Sequence, residues 1–186
     1  QVDAQGRPGI GTVEGLARLE PDDSLVAWKH VPGDPYALPG DRISALTLDR
    51  QGLLWIGTWS GGLARFDALT EHFRVLRAQV DGLPRSAAPA LAPGPDGSLW
   101  VGMVDRGGLV QLDADGRRLA QYTTSSDPPL QSEDVTALWS EPRGLWVGYG
   151  RGGLDLRQAD GGLQRFAAGH APMGTAAVQS VMQDSA

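Results

Sequence analysis

The sequence predicts an all-β protein built from many short strands that are joined by tight turns. Gly and Pro are frequent, with 26 and 13 of the 186 residues, and both residue types break helices and favour turns. Hydrophobic residues make up 41% of the chain, which is typical of a globular protein. Short β-branched and apolar runs such as residues 43–49 recur between the turns. We therefore expect strands rather than long helices.

The clearest pattern is an internal repeat with a period of about 45 residues. The sequence Leu-Trp-Ile/Val-Gly occurs three times, around Trp55, Trp100 and Trp146, and each copy is followed by Gly-Gly-Leu. A fourth copy near the start has Gly9 in place of the tryptophan. Within one repeat we expect strands at residues 43–49, 54–58, 63–67 and 72–77. Four antiparallel strands in a repeat of this length predict the blade of a β-propeller.

The repeats divide a single propeller segment into units of roughly residues 1–40, 41–86, 87–132 and 133–177. The first unit contains strands two to four of a blade. Residues 178–186 match the first strand of a unit, so we expect them to begin a further blade or to complete a composite one. Two arrangements remain open. The four units could close into a ring that hides the sheet edges, or, as we favour, they could form part of a larger propeller.

Charge and composition exclude several classes of function. We expect no nucleic-acid partner, because the net charge is −6 and phosphate binding needs clustered Lys and Arg. The sequence has no apolar run of 18 residues, so we expect no direct membrane insertion. The absence of cysteine excludes disulfides and thiolate metal sites. His30, His72 and His170 are too scattered for a metal site recognisable by spacing, and we predict neither a metal nor a cofactor.

Two motifs in the repeats have structural interpretations. Gly148 to Gly153 satisfy the dinucleotide-binding pattern G-x-G-x-x-G, but a strand pattern follows them, so we interpret these glycines as turn residues. Asp49 is interpreted as a turn residue that accepts hydrogen bonds from nearby backbone amides. Trp55, Trp100 and Trp146 are expected to fill the space between blades.

Residues 38–63 read LPGDRISALTLDRQGLLWIGTWSGGL, and this stretch resembles the two-component regulator propeller repeat. The resemblance is strong over residues 38–77, weaker in the next two units and incomplete in the first. Proteins with this repeat are typically bacterial membrane sensors whose propellers lie in the periplasm and whose output is a histidine kinase or a diguanylate cyclase. The resemblance therefore implies a periplasmic sensor region that is not itself an enzyme, with neighbouring blades or subunits as partners.

The connections between the second and third strands contain the candidate binding residues: Trp59, Asp105, Arg106, Tyr149 and Arg151. In propellers these connections open on the same face as the loops between blades, which is the usual binding face. An aromatic ring beside charged groups suits a small polar ligand such as a saccharide or a peptide. The alternative is that these residues are solvated and variable loop positions.

Two other functions remain open. Residues 94–102 also resemble the repeat of streptogramin lyases, so a metal-dependent propeller lyase is one alternative. The three histidines occupy unlike positions in their units, which disfavours a converging catalytic site. The other alternative is a structural scaffold that docks a partner protein through a sheet edge or face.

Overall fold

The computed structural model describes residues 1–2, 6–68, 70–167 and 176–182. This part of the chain contains 15 strands and no helix, which confirms the predicted all-β class. The chain is divided into two compact units, Gln1–Ala88 (unit 1) and Pro89–Ala186 (unit 2). Each unit contains two antiparallel sheets in which strands that are consecutive in the sequence are neighbours.

Unit 1 contains sheet 1, with three strands, and sheet 2, with four. The strands of sheet 1 are β1 (Gly9–Thr12), β2 (Gly15–Leu19) and β3 (Leu25–Trp28). Those of sheet 2 are β4 (Ile43–Leu48), β5 (Leu54–Thr58), β6 (Leu63–Asp67) and β7 (His72–Leu76). The four strands expected in this repeat are therefore confirmed to within one residue.

Unit 2 contains sheet 3 and sheet 4, with four strands each. The strands of sheet 3 are β8 (Ala90–Pro93), β9 (Leu99–Met103), β10 (Gly108–Leu112) and β11 (Arg118–Tyr122). Those of sheet 4 are β12 (Val135–Glu141), β13 (Gly144–Tyr149), β14 (Leu154–Gln158) and β15 (Leu163–Phe166). Of the glycines that satisfy the dinucleotide pattern, Gly150 and Gly153 lie in the connection between β13 and β14, as predicted, whereas Gly148 lies within β13.

The glycine of each Trp-Ile/Val-Gly sequence lies where the next stretch of chain packs against the sheet. A Cβ atom on Gly102 would lie 2.7 Å from Cγ1 of Val135, and one on Gly148 would lie 2.6 Å from Cγ1 of Val178. The register shift after Val135 places this residue opposite Tyr149 and within the hydrophobic core of unit 2. The glycine and the bulge together permit the close approach of two sheets.

The core of unit 1 lies between sheets 1 and 2 and is rich in aromatic rings. Phe66 lies 5.0 Å from Trp28 and 4.9 Å from Phe73 between ring centroids, and Leu16 and Ile56 complete the buried cluster. Burial of these large apolar side chains is the main source of stability for a sheet pair of this kind.

The three repeated tryptophans differ in burial and in what they pack against. Trp55 is fully buried, and Trp100 packs against the core cluster of unit 2. Trp146 is partly buried and stacks on Phe166 at a centroid distance of 5.8 Å.

Asp49 organises the turn between β4 and β5. Its Oδ1 accepts hydrogen bonds from the backbone amides of Gln51 and Leu53, both at 2.9 Å, which confirms the interpretation as a turn residue. Its Oδ2 also accepts a hydrogen bond from Nε1 of the buried Trp55, at 2.9 Å. This carboxylate therefore fixes both the turn and the indole that fills the core.

Candidate functional site

A polar pocket in unit 2 contains two of the candidate binding residues. This pocket, which we call the mouth pocket, is open to solvent and has a volume of about 350 Å³. It lies among the β9–β10 turn, the β13–β14 turn and the segment that leads into β12. Its lining residues are Arg106, Thr124, Gln131, Ser132, Glu133, Asp134 and Arg151.

Backbone hydrogen bonds fix the three segments around the mouth pocket. The amide of Gly108, at the end of the β9–β10 turn, donates to the carbonyl of Glu133 at 2.9 Å. The amide of Gly150, at the start of the β13–β14 turn, donates to the carbonyl of Asp134 at 2.9 Å. Because adjacent residues of one segment hold both turns, the backbone positions of Arg106 and Arg151 are set by the fold.

The β9–β10 turn has an unusual backbone for its residue types. Asp105 and Arg106 have φ angles of 55° and 65°, in the left-handed region, and the amide of Gly107 donates to the carbonyl of Val104 at 3.1 Å. Positive φ at both central residues matches the backbone twist of a tight hairpin, but it disfavours residues that have a Cβ atom. The sequence therefore places charged side chains at a position where glycine would be less strained.

The mouth pocket combines two guanidinium groups with two carboxylates. Arg106 and Arg151 are exposed, and neither side chain forms an ion pair within the described residues. Glu133 is engaged locally, since its Oε1 accepts hydrogen bonds from the amide and the hydroxyl of Thr124, at 3.3 and 2.9 Å. The pocket can therefore offer charge-assisted hydrogen bonds to a polar ligand.

The expectation that Tyr149 faces the ligand is wrong. Tyr149 ends β13 and is fully buried, and its hydroxyl donates to Oδ2 of Asp155 at 2.6 Å. Burial raises the pKa of the Tyr149 hydroxyl above its ordinary value, and the hydrogen bond and the charge of Asp155 raise it further. At the end of β13, Tyr149 lies on the face of sheet 4 that packs against sheet 3. Its ring therefore belongs to the hydrophobic core of unit 2.

Asp155 is a buried carboxylate that the sequence analysis missed. Its Oδ1 accepts a hydrogen bond from Nε2 of Gln131 at 2.6 Å, and Arg165 Nε lies 4.0 Å from the same oxygen. By strand register, the equivalent positions in sheets 2 and 3 are Ala64 and Val110, both buried and apolar. A charged residue where other repeats have apolar ones was the available sequence signal.

Gln131 joins this buried network to the mouth pocket. It lines the pocket, and its side-chain amide donates both to Asp155 and to the carbonyl of Leu154, the latter at 3.2 Å. The wall of the mouth pocket is therefore anchored to the interior of unit 2 by hydrogen bonds.

The other candidate residues occupy different surroundings. Asp105 is exposed and precedes Arg106 in the same turn. Trp59 belongs to unit 1, is 44% exposed, and donates its backbone amide to the carbonyl of Arg42 at 3.0 Å. The structure thus brings Arg106 and Arg151 to one pocket, whereas the inclusion of Trp59 in the same site stays a prediction.

Unit 1 contains a second polar pocket, with a volume of about 320 Å³. Its lining includes His30, Asp34, Ser60 and Arg77. His30 is already engaged, since its Nδ1 lies 2.7 Å from the carbonyl oxygen of Leu38 and its amide donates to Asp41. This pocket has one arginine on its lining where the mouth pocket has two.

No group of three or more His, Cys, Asp or Glu side chains within the described residues is arranged to hold a metal ion. His170 lies outside those residues. Across the same part of the chain, the structure has no helix with the length and apolar character needed to cross a membrane.

Comparison of the sequence with protein families finds one match. Residues 37–60 match the family described as two component regulator propeller. This match confirms the resemblance noted for residues 38–63. No curated protein sequence matches the chain.

Solved structures with a similar fold include extracellular domains of two putative hybrid two-component systems from B. thetaiotaomicron. They have TM-scores of 0.71 and 0.73 and identities of 23% and 20% over 85% and 89% of this chain. The matched regions are only 21% and 24% of those domains, so the chain spans less than a quarter of their length.

The chain is also similar in fold to virginiamycin B lyase from Staphylococcus aureus. The TM-score is 0.66 and the identity 12%, over 97% of this chain and 57% of the lyase. At these identities the structural likenesses establish the fold alone, and they confirm the predicted β-propeller class.

Proposed function

We propose that this chain, which contains a two-component regulator propeller repeat, is a non-catalytic, extracytoplasmic ligand-sensing module of a bacterial signalling protein. In this proposal the module lies in the periplasm and binds a small saccharide or peptide. It contacts neighbouring blades or subunits of a larger assembly. The family match and the extracellular origin of the similar B. thetaiotaomicron structures support this assignment.

The observation that carries the proposal is the mouth pocket. Arg106 and Arg151 occupy the same turn of two successive repeats, and both line this pocket together with Glu133 and Asp134. An open, polar pocket on connecting segments held by regular sheets is a common setting for ligand binding.

Signalling would follow from a difference in affinity. Ligand bound at the mouth pocket shifts an equilibrium between two arrangements of domains or subunits only when it binds one arrangement more tightly. We expect the ligand to contact side chains from both turns, because only then does its binding depend on the relative positions of two repeats.

The test is a thermal melt of the chain alone and with a panel of oligosaccharides, short peptides and Ca²⁺. A ligand that binds the folded state raises the melting temperature. We expect one ligand class to do so, and R106A and R151A to abolish the increase. R143A is the matched control, because Arg143 is an exposed arginine in the turn at the opposite end of β13 from Arg151.

Other outcomes favour the alternatives. A cooperative melt that no ligand shifts favours a docking scaffold. A ligand effect that survives in both arginine variants places the binding site elsewhere. Metal-dependent conversion of a supplied streptogramin would contradict the non-catalytic assignment and favour the lyase alternative.

A further inference from the structure

We infer that the mouth pocket binds the carboxylate of a small ligand, held between Arg106 and Arg151. This inference rests on the proposed function and narrows its ligand class. It depends on the residues of unit 2 alone and uses no feature of the similar proteins.

The first reason is the state of the two arginines. Arg106 and Arg151 both line the mouth pocket, and neither forms an ion pair with any described residue. Two like charges on one pocket repel each other, and an anion bound between them removes that repulsion. The planar guanidinium group matches a carboxylate through two parallel hydrogen bonds.

The second reason is that Glu133, one of the two carboxylates that line the mouth pocket, is engaged by another residue. Glu133 Oε1 accepts two hydrogen bonds from Thr124, and the backbone carbonyls of Glu133 and Asp134 hold the two turns. These contacts orient the segment as a support for the pocket wall. They leave both guanidinium groups available to an added anion.

The third reason concerns the type of anion. Glu133 and Asp134 bring two negative charges to the same pocket, so the net charge of its lining side chains is close to zero. A polyanion such as phosphate would be repelled by these carboxylates. A ligand with one carboxylate and neighbouring hydroxyl or amide donors suits this lining better. Its carboxylate accepts hydrogen bonds from the guanidinium groups, and its donors pair with the carboxylates of the pocket.

A carboxylate of this kind has two sources within the proposed ligand classes, an acidic saccharide and the end of a peptide. Matched probes separate them. D-galacturonate and D-galactose differ by a carboxylate, and so do N-acetylalanine and its amide. Inorganic phosphate serves as the competing anion, and potassium chloride keeps the ionic strength constant.

The readout is the NMR signal of each arginine Nε–H group, followed during titration of the whole chain. We expect a saturable shift at Arg106 and Arg151, and none at Arg143, with the carboxylate member of at least one pair. Loss of one charge-assisted partner in R106A or R151A weakens binding of that probe by about tenfold or more. R143A leaves its affinity unchanged.

Three results would overturn the inference. The first is the absence of a saturable shift at Arg106 and Arg151 with both carboxylates. The second is equal affinity for the two members in both pairs, and the third is tighter binding of phosphate than of either carboxylate. The proposed function survives each of these if the thermal melt still finds a ligand whose effect depends on Arg106 and Arg151. It fails separately if that dependence is missing.

Discussion

Replacing Tyr149 by phenylalanine and Asp155 by valine, singly and together, measures the buried polar network of unit 2. Phenylalanine keeps the ring and removes only the hydroxyl that donates to Asp155 Oδ2 at 2.6 Å. Valine is the residue that sheet 3 has at the equivalent position, Val110. Each substitution therefore removes polar groups with little change in shape.

The expected magnitudes follow from complete burial of both residues. A hydrogen bond to a charged group contributes about 1.5 to 3 kcal/mol, so we expect Y149F to lower the free energy of unfolding by about 2 kcal/mol. D155V leaves the Tyr149 hydroxyl without its carboxylate partner, and Gln131 loses one of its two acceptors. We expect a loss of about 2 to 4 kcal/mol from these unpaired buried groups.

The double variant distinguishes a real interaction from two independent defects. Y149F/D155V removes both the hydroxyl and the carboxylate, so we expect its loss to be smaller than the sum of the single losses by about 1 to 3 kcal/mol. The assay is equilibrium unfolding in urea, followed by far-ultraviolet circular dichroism. Additivity within about 0.5 kcal/mol would refute the idea that these two side chains stabilise each other.

Three further outcomes are expected. The pKa of Tyr149 is raised in the folded state, so its contribution to stability is complete below about pH 10 and declines at higher pH; urea titrations should show a weaker decline for Y149F. G102A places a Cβ atom 2.7 Å from Val135 Cγ1, and thermal melts should report a loss of about 1 to 3 kcal/mol. D49A removes three hydrogen bonds, including that from Trp55, and should lower the urea midpoint while changing tryptophan fluorescence, whereas D49N should do so less.

The strands and their order could be predicted because each depends on short-range patterns. The run at residues 43–49 and the glycines after it identify β4, β5 and their turn without knowledge of distant contacts. The role of Asp49 toward backbone amides was likewise local. The hydrogen bond that Asp49 accepts from the Trp55 indole joins residues six apart. It depends on the strand register, which the repeat alone does not specify.

The candidate site was predictable only in part. The repeat placed Arg106 and Arg151 at equivalent turns, and the structure brings both to the mouth pocket. The same alignment placed Tyr149 with them, because sequence position does not reveal which face of a strand end is covered. Asp155 and Gln131 are separated by 24 residues, so their contact depends on the packing of a loop against a neighbouring strand.

The departures from the repeat are therefore more informative about function than the repeat itself. Gly102 and Gly148 must be small because the next stretch of chain packs directly on them, so any blade needs them whatever it binds. The β9–β10 turn keeps Arg106 at a φ of 65°, where glycine would relieve strain. A sheet that only had to pack would also favour an apolar residue over Asp155. Both exceptions lie at or next to the mouth pocket, which Gln131 joins to the buried carboxylate.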